Sequence, residues 1–161
     1  MNNEKPQSVW ENSKIHILLI LILSLLVFSP CVSGKFLWDD EHLIVHNPMI
    51  KSLKNIPLSF TRSFFYQSFE TPQITYYRPL VTILNQLQYA LFGLRSVWWH
   101  VFNLVLHGIN GILFYIFLCR VLKISRKGGF LAAIIYCVHP VHTEAVCFIS
   151  GRTDLLSLFS S

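Results

Sequence analysis

Residues 98–122 read WWHVFNLVLHGINGILFYIFLCRVL and hold no acidic side chain. A helix of this length can cross a bilayer, because a span takes about 17–25 mostly apolar residues. Trp98 and Trp99 suit the membrane–water interface at one end, and Arg120 marks the other end. The stretch therefore predicts a transmembrane helix, and it makes an all-α integral membrane protein the expected fold class.

The composition of the whole chain also indicates lipid as the solvent. The 161 residues are 53% hydrophobic and 13% charged, with a mean hydropathy of +0.49, whereas soluble domains carry about 25% charged residues. The net charge of +5 is spread thinly between apolar segments, so a lipid bilayer is the expected partner and nucleic acid is not. The four cysteines show no CxxC spacing and no paired framework. Three of them lie in or at the end of apolar segments and are interpreted as small buried hydrophobes, so cysteine usage fixes no redox compartment.

Further apolar segments lie on both sides of this helix. Residues 15–32 predict a first transmembrane helix after a cytoplasmic tail at 1–14, with a cleaved signal peptide as the alternative. Residues 128–149 predict a third transmembrane helix after a basic link at 123–127. An outer turn opens residues 150–161, and the apolar run that follows is cut short. We therefore expect a polytopic helical bundle truncated at the start of a fourth helix.

Residues 33–97 form a long first loop that is predicted to be partly helical. Pro79 can open a helix, and residues 79–92 predict one. Asn85, Gln86 and Gln88 make this helix a poor lipid-facing span, so an amphipathic helix that lies at the interface or packs on protein fits better.

The basic link decides the orientation of the predicted helices. Four cations crowd this short connection: Arg120, Lys123, Arg126 and Lys127. The positive-inside rule places such a link in the cytoplasm, so the loop at 33–97 faces the lumen, the periplasm or the exterior. Counting the helix at 79–92 as a span would put the link outside, and we therefore reject it as a span.

Polar side chains interrupt the predicted membrane helices. Ionisable groups there are costly and suggest function. The spacing places four polar residues on one helical face: His100, Asn103, His107 and Asn110. Three more lie in the outer half of the next helix, where Pro140 predicts a kink: His139, His142 and Glu144.

Each polar group also has a structural interpretation. The stripe that contains His100 is typical of interhelical hydrogen bonds, and the acidic run Asp39-Asp40-Glu41 is typical of a solvated loop. His139 and His142 with Glu144 would supply ligands for a divalent metal, although no recognised metal motif is met. A metal cofactor is therefore left open and none is assigned.

Sugar transfer from a lipid-linked phosphate to a protein hydroxyl would use these groups. The acceptor needs a carboxylate as base, and Asp39 or Asp40 would supply it. The leaving phosphate needs cationic or hydrogen-bonding donors, for which Arg78, Arg152 and the histidines are candidates, with arginine favoured for its bidentate geometry.

Five motifs resemble those of a known family and occur in the following order: Trp38-Asp39-Asp40, Tyr77-Arg78-Pro79-Leu80, His100-x-x-Asn103-x-x-x-His107, HPVHTEAV at 139–146 and GRTDLL at 151–156. From about Phe36 onward the chain resembles the N-terminal membrane part of the transmembrane and tetratricopeptide-repeat O-mannosyltransferases and their bacterial relatives. The resemblance implies a GT-C type glycosyltransferase with its catalytic acid in the first outer loop, here Asp39 or Asp40.

The resemblance also implies partners and a location. The donor would be a polyprenyl-phosphate sugar, dolichyl-phosphate mannose in animals, and the acceptor would be Ser or Thr of a protein. The site-lining set would be Arg78, His100, Asn103, His107, His139, His142, Glu144, Arg152 and Asp154. The membrane would be that of the endoplasmic reticulum in a eukaryote or the inner membrane in a bacterium, and the family's C-terminal tetratricopeptide repeats are missing here.

A non-catalytic polytopic membrane protein, such as a transporter or an assembly subunit, is the alternative. A transporter is expected to place charges near the bilayer midplane, whereas this chain places its acids in the outer loop. The enzyme is therefore favoured, and the fragment alone is expected to be inactive.

Overall fold

The computed structural model describes residues 12–62 and 77–157, where the regular elements are helical. The α-helices in these ranges are α1 (Ser13–Val27), α2 (Pro79–Phe92), α3 (Ser96–Arg120), α4 (Arg126–Val138), α5 (Thr143–Cys147) and α6 (Arg152–Ser157). Shorter helical turns are Ser29–Ser33, Glu41–Val45, Pro48–Lys51, Leu53–Phe60 and Pro140–His142. The described residues contain no strand, so the all-α class is confirmed for them. The predicted tail, the middle of the first loop and the end of the predicted fourth helix lie partly outside these ranges.

Helix α3 is the centre of the structure, and α1 packs antiparallel along it. Near the start of α1, His16 Nδ1 lies 3.0 Å from the Tyr115 hydroxyl near the end of α3. Just past the end of α1, the Phe28 ring meets His107 edge-on at 5.2 Å between centroids. These contacts at both ends fix the register of the two helices.

Two glycines on α3 allow this close packing. A Cβ atom on Gly108 would lie 2.7 Å from Leu21 Cδ1 of α1, and one on Gly111 would collide with Cys137 Sγ of α4. Small residues at membrane helix interfaces let backbones approach in this way. Helices α1 and α4 therefore both lie against α3.

Among the described residues, fewer helices are long and apolar enough to cross a membrane than the sequence predicted. Within the described residues, α3 is the one helix long and apolar enough to cross alone, and α4 with Pro140–Cys147 counts as a second if that bent pair is one span. The first predicted span differs most, because α1 has 15 residues and a length of about 22 Å, short of a core of about 30 Å. A turn at Ser29–Ser33 takes the place of its last part, and the multi-pass character stays a prediction.

The helix predicted at 128–149, with a kink at Pro140, is interrupted there. Helix α4 ends at Val138, His139 is extended at φ −68° and ψ 130°, and the chain resumes with a short turn at Pro140. The two parts are bent by 47°. Proline disfavours helical geometry in the residue before it and lacks an N–H donor, so Pro140 breaks the helix where the sequence predicted only a kink.

Helix α2 occupies residues 79–92 as predicted, but its polar face points inward. Asn85, Gln86 and Gln88 are buried, and the Gln88 amide donates to the Trp98 carbonyl at 2.9 Å. On the opposite face Leu91 is 74% exposed. The helix therefore packs on protein with its amide side chains and turns leucine outward.

A disulfide between Cys31 and Cys147 joins the turn after α1 to the end of α5, with the two Cα atoms 5.1 Å apart. The expectation that the cysteines form no paired framework is therefore wrong for Cys31 and Cys147, whereas Cys137 is a buried free cysteine as expected of a small hydrophobe. The two partners are 116 positions apart in sequence and share no local cysteine motif, so the pairing depends on the packing of α1 and α5 against α3.

We expect this disulfide to form in cells, because the end of the bundle that holds it faces an oxidising compartment in the predicted orientation. After denaturation without reductant, a maleimide of high mass should label two of the four cysteines, Cys119 and Cys137. Reduction should raise the count to four, and Cys31→Ser should give three without reduction. Four adducts on the unreduced protein would contradict both the bond and the orientation.

Candidate functional site

The acidic motif of the first loop begins with a strained residue. Trp38 has φ +48°, a backbone conformation that is uncommon outside glycine and that clusters at functional sites. Its side chain is 83% exposed and lies against the edge of Phe148 at 6.1 Å. The turn that follows leaves Asp39 exposed and buries Asp40, so the two adjacent carboxylates have different surroundings.

Asp40 ties the first loop to the turn before α6. It is 1% exposed, and its two carboxylate oxygens accept from the Ser150 N–H at 2.8 Å and from the Leu37 N–H at 3.2 Å. Burial raises the pKa of Asp40 above its ordinary value, while these two donors and nearby His100 act in the opposite direction. The geometry is that of an anchor for the loop.

Arg152 is a buried cation held by side-chain amides. It is 1% exposed, and its Nη1 donates to Asn85 Oδ1 at 2.8 Å and to Gln88 Oε1 at 2.7 Å. Its guanidinium also lies over the Trp99 ring, 5.1 Å from the centroid. Burial lowers the pKa of Arg152 to about 9, with Asp40 opposing this, so the group keeps its charge at neutral pH.

The polar stripe of α3 contacts backbone carbonyls on both sides of Pro140. The Asn103 amide donates to the Phe148 carbonyl at 3.1 Å, His107 Nε2 contacts the Cys137 carbonyl at 2.9 Å, and the Asn110 amide donates to the Leu155 carbonyl at 2.8 Å. Backbone carbonyls at helix ends lack partners within the helix. The stripe therefore supplies interhelical hydrogen bonds, the structural interpretation that the sequence left open.

His100 belongs to this stripe but faces the first loop. It is buried, and a Cβ atom on Gly34 would lie 2.8 Å from its Nε2. The imidazole therefore fills the space beside the start of the loop, close enough to Asp40 for the two groups to interact electrostatically.

The predicted group of His139, His142 and Glu144 is divided. The His142 ring packs at a tilt against His107 and Tyr136, at centroid distances of 5.0 and 4.4 Å, whereas His139 and Glu144 are exposed. His139 Nδ1 accepts from the N–H two residues ahead. In residues 12–62 and 77–157 no three His, Cys, Asp or Glu side chains are grouped to hold a metal ion.

Arg78 and Asp154 line one cavity of about 320 Å³ between the start of α2 and helix α6. Thr153 and Ser157 add hydroxyl groups to its wall. The two candidate arginines therefore differ in access, because Arg78 faces this cavity while Arg152 is enclosed by its amide partners.

The sequences of three relatives align with most of this chain. It is 34% identical over 170 residues to Protein O-mannosyl-transferase F38B6.6 of Caenorhabditis elegans, which covers 98% of the chain and 24% of the relative. Identity is 32% to human Protein O-mannosyl-transferase TMTC1 (83% of the chain, 15% of the relative) and 34% to mouse Protein O-mannosyl-transferase TMTC4 (86% and 21%). The chain belongs to the TMTC family of protein O-mannosyl-transferases.

The chain spans about a quarter or less of the length of these TMTC relatives. No family model matches it, and no solved structure does. Its place in the TMTC family therefore rests on the aligned sequences of these relatives.

The candidate site also involves residues that the sequence did not single out as site residues. Ser150 supplies the main-chain donor to Asp40, and nothing in the residue type predicts that. Asn85 and Gln88, three residues apart on α2, had been noticed only as poor lipid-facing groups. Their shared face was the signal for a buried polar partner, which is Arg152.

Proposed function

We propose that the full-length protein transfers mannose from a polyprenyl phosphate to a Ser or Thr hydroxyl of a protein. The observation that carries the proposal is the difference in surroundings between the adjacent carboxylates of Asp39 and Asp40. Asp40 is fixed by two backbone N–H donors, and Asp39 is exposed directly after the strained Trp38. The names of the relatives supply mannose and the oxygen linkage.

Asp39 acts as the base in this proposal. Its carboxylate accepts the proton of the acceptor hydroxyl while that oxygen forms a bond to the anomeric carbon of mannose. The bond from the anomeric carbon to the phosphate oxygen breaks, and the polyprenyl phosphate leaves with the electron pair. Asp40 does not meet the substrate and serves as a positioning residue for the loop.

Arg78 is the proposed holder of the donor phosphate. It lines the cavity beside the first turn of α2, where helix geometry favours an anion, and a guanidinium binds phosphate oxygens in bidentate fashion. Arg152 keeps its buried hydrogen bonds to the amide oxygens of Asn85 and Gln88 and stabilises the packing of α2 against α6. The two arginines therefore have separate roles.

The proposed orientation places this site on the non-cytoplasmic side of the endoplasmic reticulum or of a bacterial inner membrane. The start of α1, the end of α3 and the start of α4 meet at one end, together with the basic link. The acidic motif, the disulfide and α6 lie at the other end. A membrane between these ends is supported by the apolar α3 and by the positive-inside rule.

The test is donor selectivity of the full-length protein reconstituted in liposomes with a Ser/Thr-rich acceptor peptide. Mannose on a polyprenyl phosphate should be transferred to the peptide, and mannose on a nucleotide should not. Transfer from the nucleotide donor in liposomes that lack polyprenyl phosphate would overturn the proposal. The 161-residue chain alone should transfer neither.

A further inference from the structure

A second cavity, of about 620 Å³, lies at the end of the bundle opposite to the acidic motif. Three helices form it, and it is not part of the proposed transfer site. Its polar lining comes from Ser13 at the start of α1, Arg120 at the end of α3, and Ser125 and Arg126 at the start of α4. Two guanidinium groups, those of Arg120 and Arg126, therefore line the same cavity.

The charge around this cavity is positive. Lys123 and Lys127 follow Arg120 and Arg126 in the same link. The acids of the described residues are Asp39, Asp40, Glu41, Glu144 and Asp154, which belong to the first loop or to the segment after Pro140. The sequence at 1–14 adds two acids and two lysines and so no net side-chain charge. An anion is therefore the complementary ligand.

The walls of the cavity are apolar next to these cations. Ile17, Ile116 and Ile124 contribute to the lining, with the Tyr115 ring. Helices α1 and α4 also begin here, and their first turns carry N–H groups that favour negative charge. A ligand that suits this lining has an anionic head joined to apolar chains.

We infer that this cavity binds the phosphate headgroup of an anionic phospholipid of the cytoplasmic leaflet. Arg120 and Arg126 contact the phosphate oxygens, and the isoleucine side chains contact the glycerol and the upper acyl chains. Basic hollows between membrane helices on the cytoplasmic side bind phosphorylated lipid heads in this manner. The inference uses the membrane orientation proposed above and does not depend on the transfer activity, so either can fail alone.

Cys119 lines the same cavity and provides a local probe, because it is the partly exposed free thiol while Cys137 is buried. The 161-residue chain in detergent micelles would be treated with a small maleimide while phosphatidic acid is titrated. Labelling of Cys119 should slow at least tenfold at saturation with phosphatidic acid and remain unchanged with phosphatidylcholine. Equal rates with the two lipids would overturn the inference.

Matched variants distinguish binding of the lipid headgroup in this cavity from nonspecific electrostatic attraction, here called diffuse attraction. Arg120→Gln with Arg126→Gln should weaken protection by phosphatidic acid about 100-fold, since each removes a hydrogen-bonded charge contact. Lys123→Gln with Lys127→Gln removes the same charge from residues outside the lining. This variant should weaken protection by phosphatidic acid about threefold, the effect typical of exposed ion pairs. Equal losses in the two variants would show diffuse attraction and overturn the inference.

Inorganic phosphate distinguishes the lipid from a free anion. In large molar excess over the lipid it should leave Cys119 labelling unchanged, because it has no apolar part for the isoleucine walls. Protection by phosphate equal to that by phosphatidic acid would overturn the assignment to a lipid. The wild-type titration needs no variant, so a misfolded double mutant does not remove the test.

Discussion

Replacing Asp39 by Asn in the full-length protein should lower sugar transfer by about 10²–10⁴-fold, the scale of a lost general base. Asn keeps the shape of the side chain and cannot take the proton of the acceptor hydroxyl. Because Asp39 is exposed, the midpoint of unfolding should not change. The measurement is the initial rate of mannose transfer from a polyprenyl-phosphate donor, beside thermal unfolding in the same detergent.

Asp40→Asn is the matched control one position away. An amide keeps one acceptor oxygen and places an NH₂ group where the other N–H donor points, so one buried donor loses its partner. The expected cost is about 1–3 kcal/mol of unfolding free energy, with transfer reduced in proportion to the loss of folded protein. A stable Asp40→Asn protein without activity, beside an active Asp39→Asn protein, would reverse the two assigned roles.

Replacing Arg152 by Met should strongly destabilise the protein. Asn85 Oδ1 and Gln88 Oε1 would lose the charged donor that satisfies both, and the buried methionine offers no hydrogen bond. We expect a loss of about 2–6 kcal/mol of unfolding free energy, because each of the two buried acceptors left unpaired costs about 1–3 kcal/mol. Denaturant unfolding in detergent, followed by circular dichroism, measures it.

Two further variants test the cause of that loss. The triple change Arg152→Met with Asn85→Leu and Gln88→Leu removes both acceptors with their donor, and it should recover much of the stability. Arg95→Met changes an exposed arginine and should have little effect. Two results would show that the hydrogen bonds between Arg152 and the two amides do not stabilise the protein. One is an equal unfolding free energy for Arg152→Met and Arg95→Met, and the other is a triple variant that is no more stable than Arg152→Met.

Local signals in the sequence were enough to place α2 and α3. Pro79 marks the first turn of α2, and the uncharged run that Trp98 opens corresponds to α3. Hydropathy predicted a helix through 128–149 because it averages over a window, whereas the conformations of His139 and Pro140 depend on single residues. The same averaging extended the first helix past Val27.

The sequence could not separate the roles that we propose for the two acids of the first loop. Asp39 and Asp40 are identical residues in one motif, and only the positive φ at Trp38 and the donors at Leu37 and Ser150 distinguish them. These donors come from 3 and 110 residues away in sequence, so no short window contains both. The disulfide was missed for the same reason.

The bond between Cys31 and Cys147 closes a covalent ring that contains the first loop and helices α2, α3 and α4. A protease that cuts this ring once, at the exposed Leu37–Trp38 bond for example, does not release a fragment. The two pieces would run as one band on a non-reducing gel and separate only after a thiol is added. Cleavage of the first loop is thus invisible on a gel that is run without a reductant.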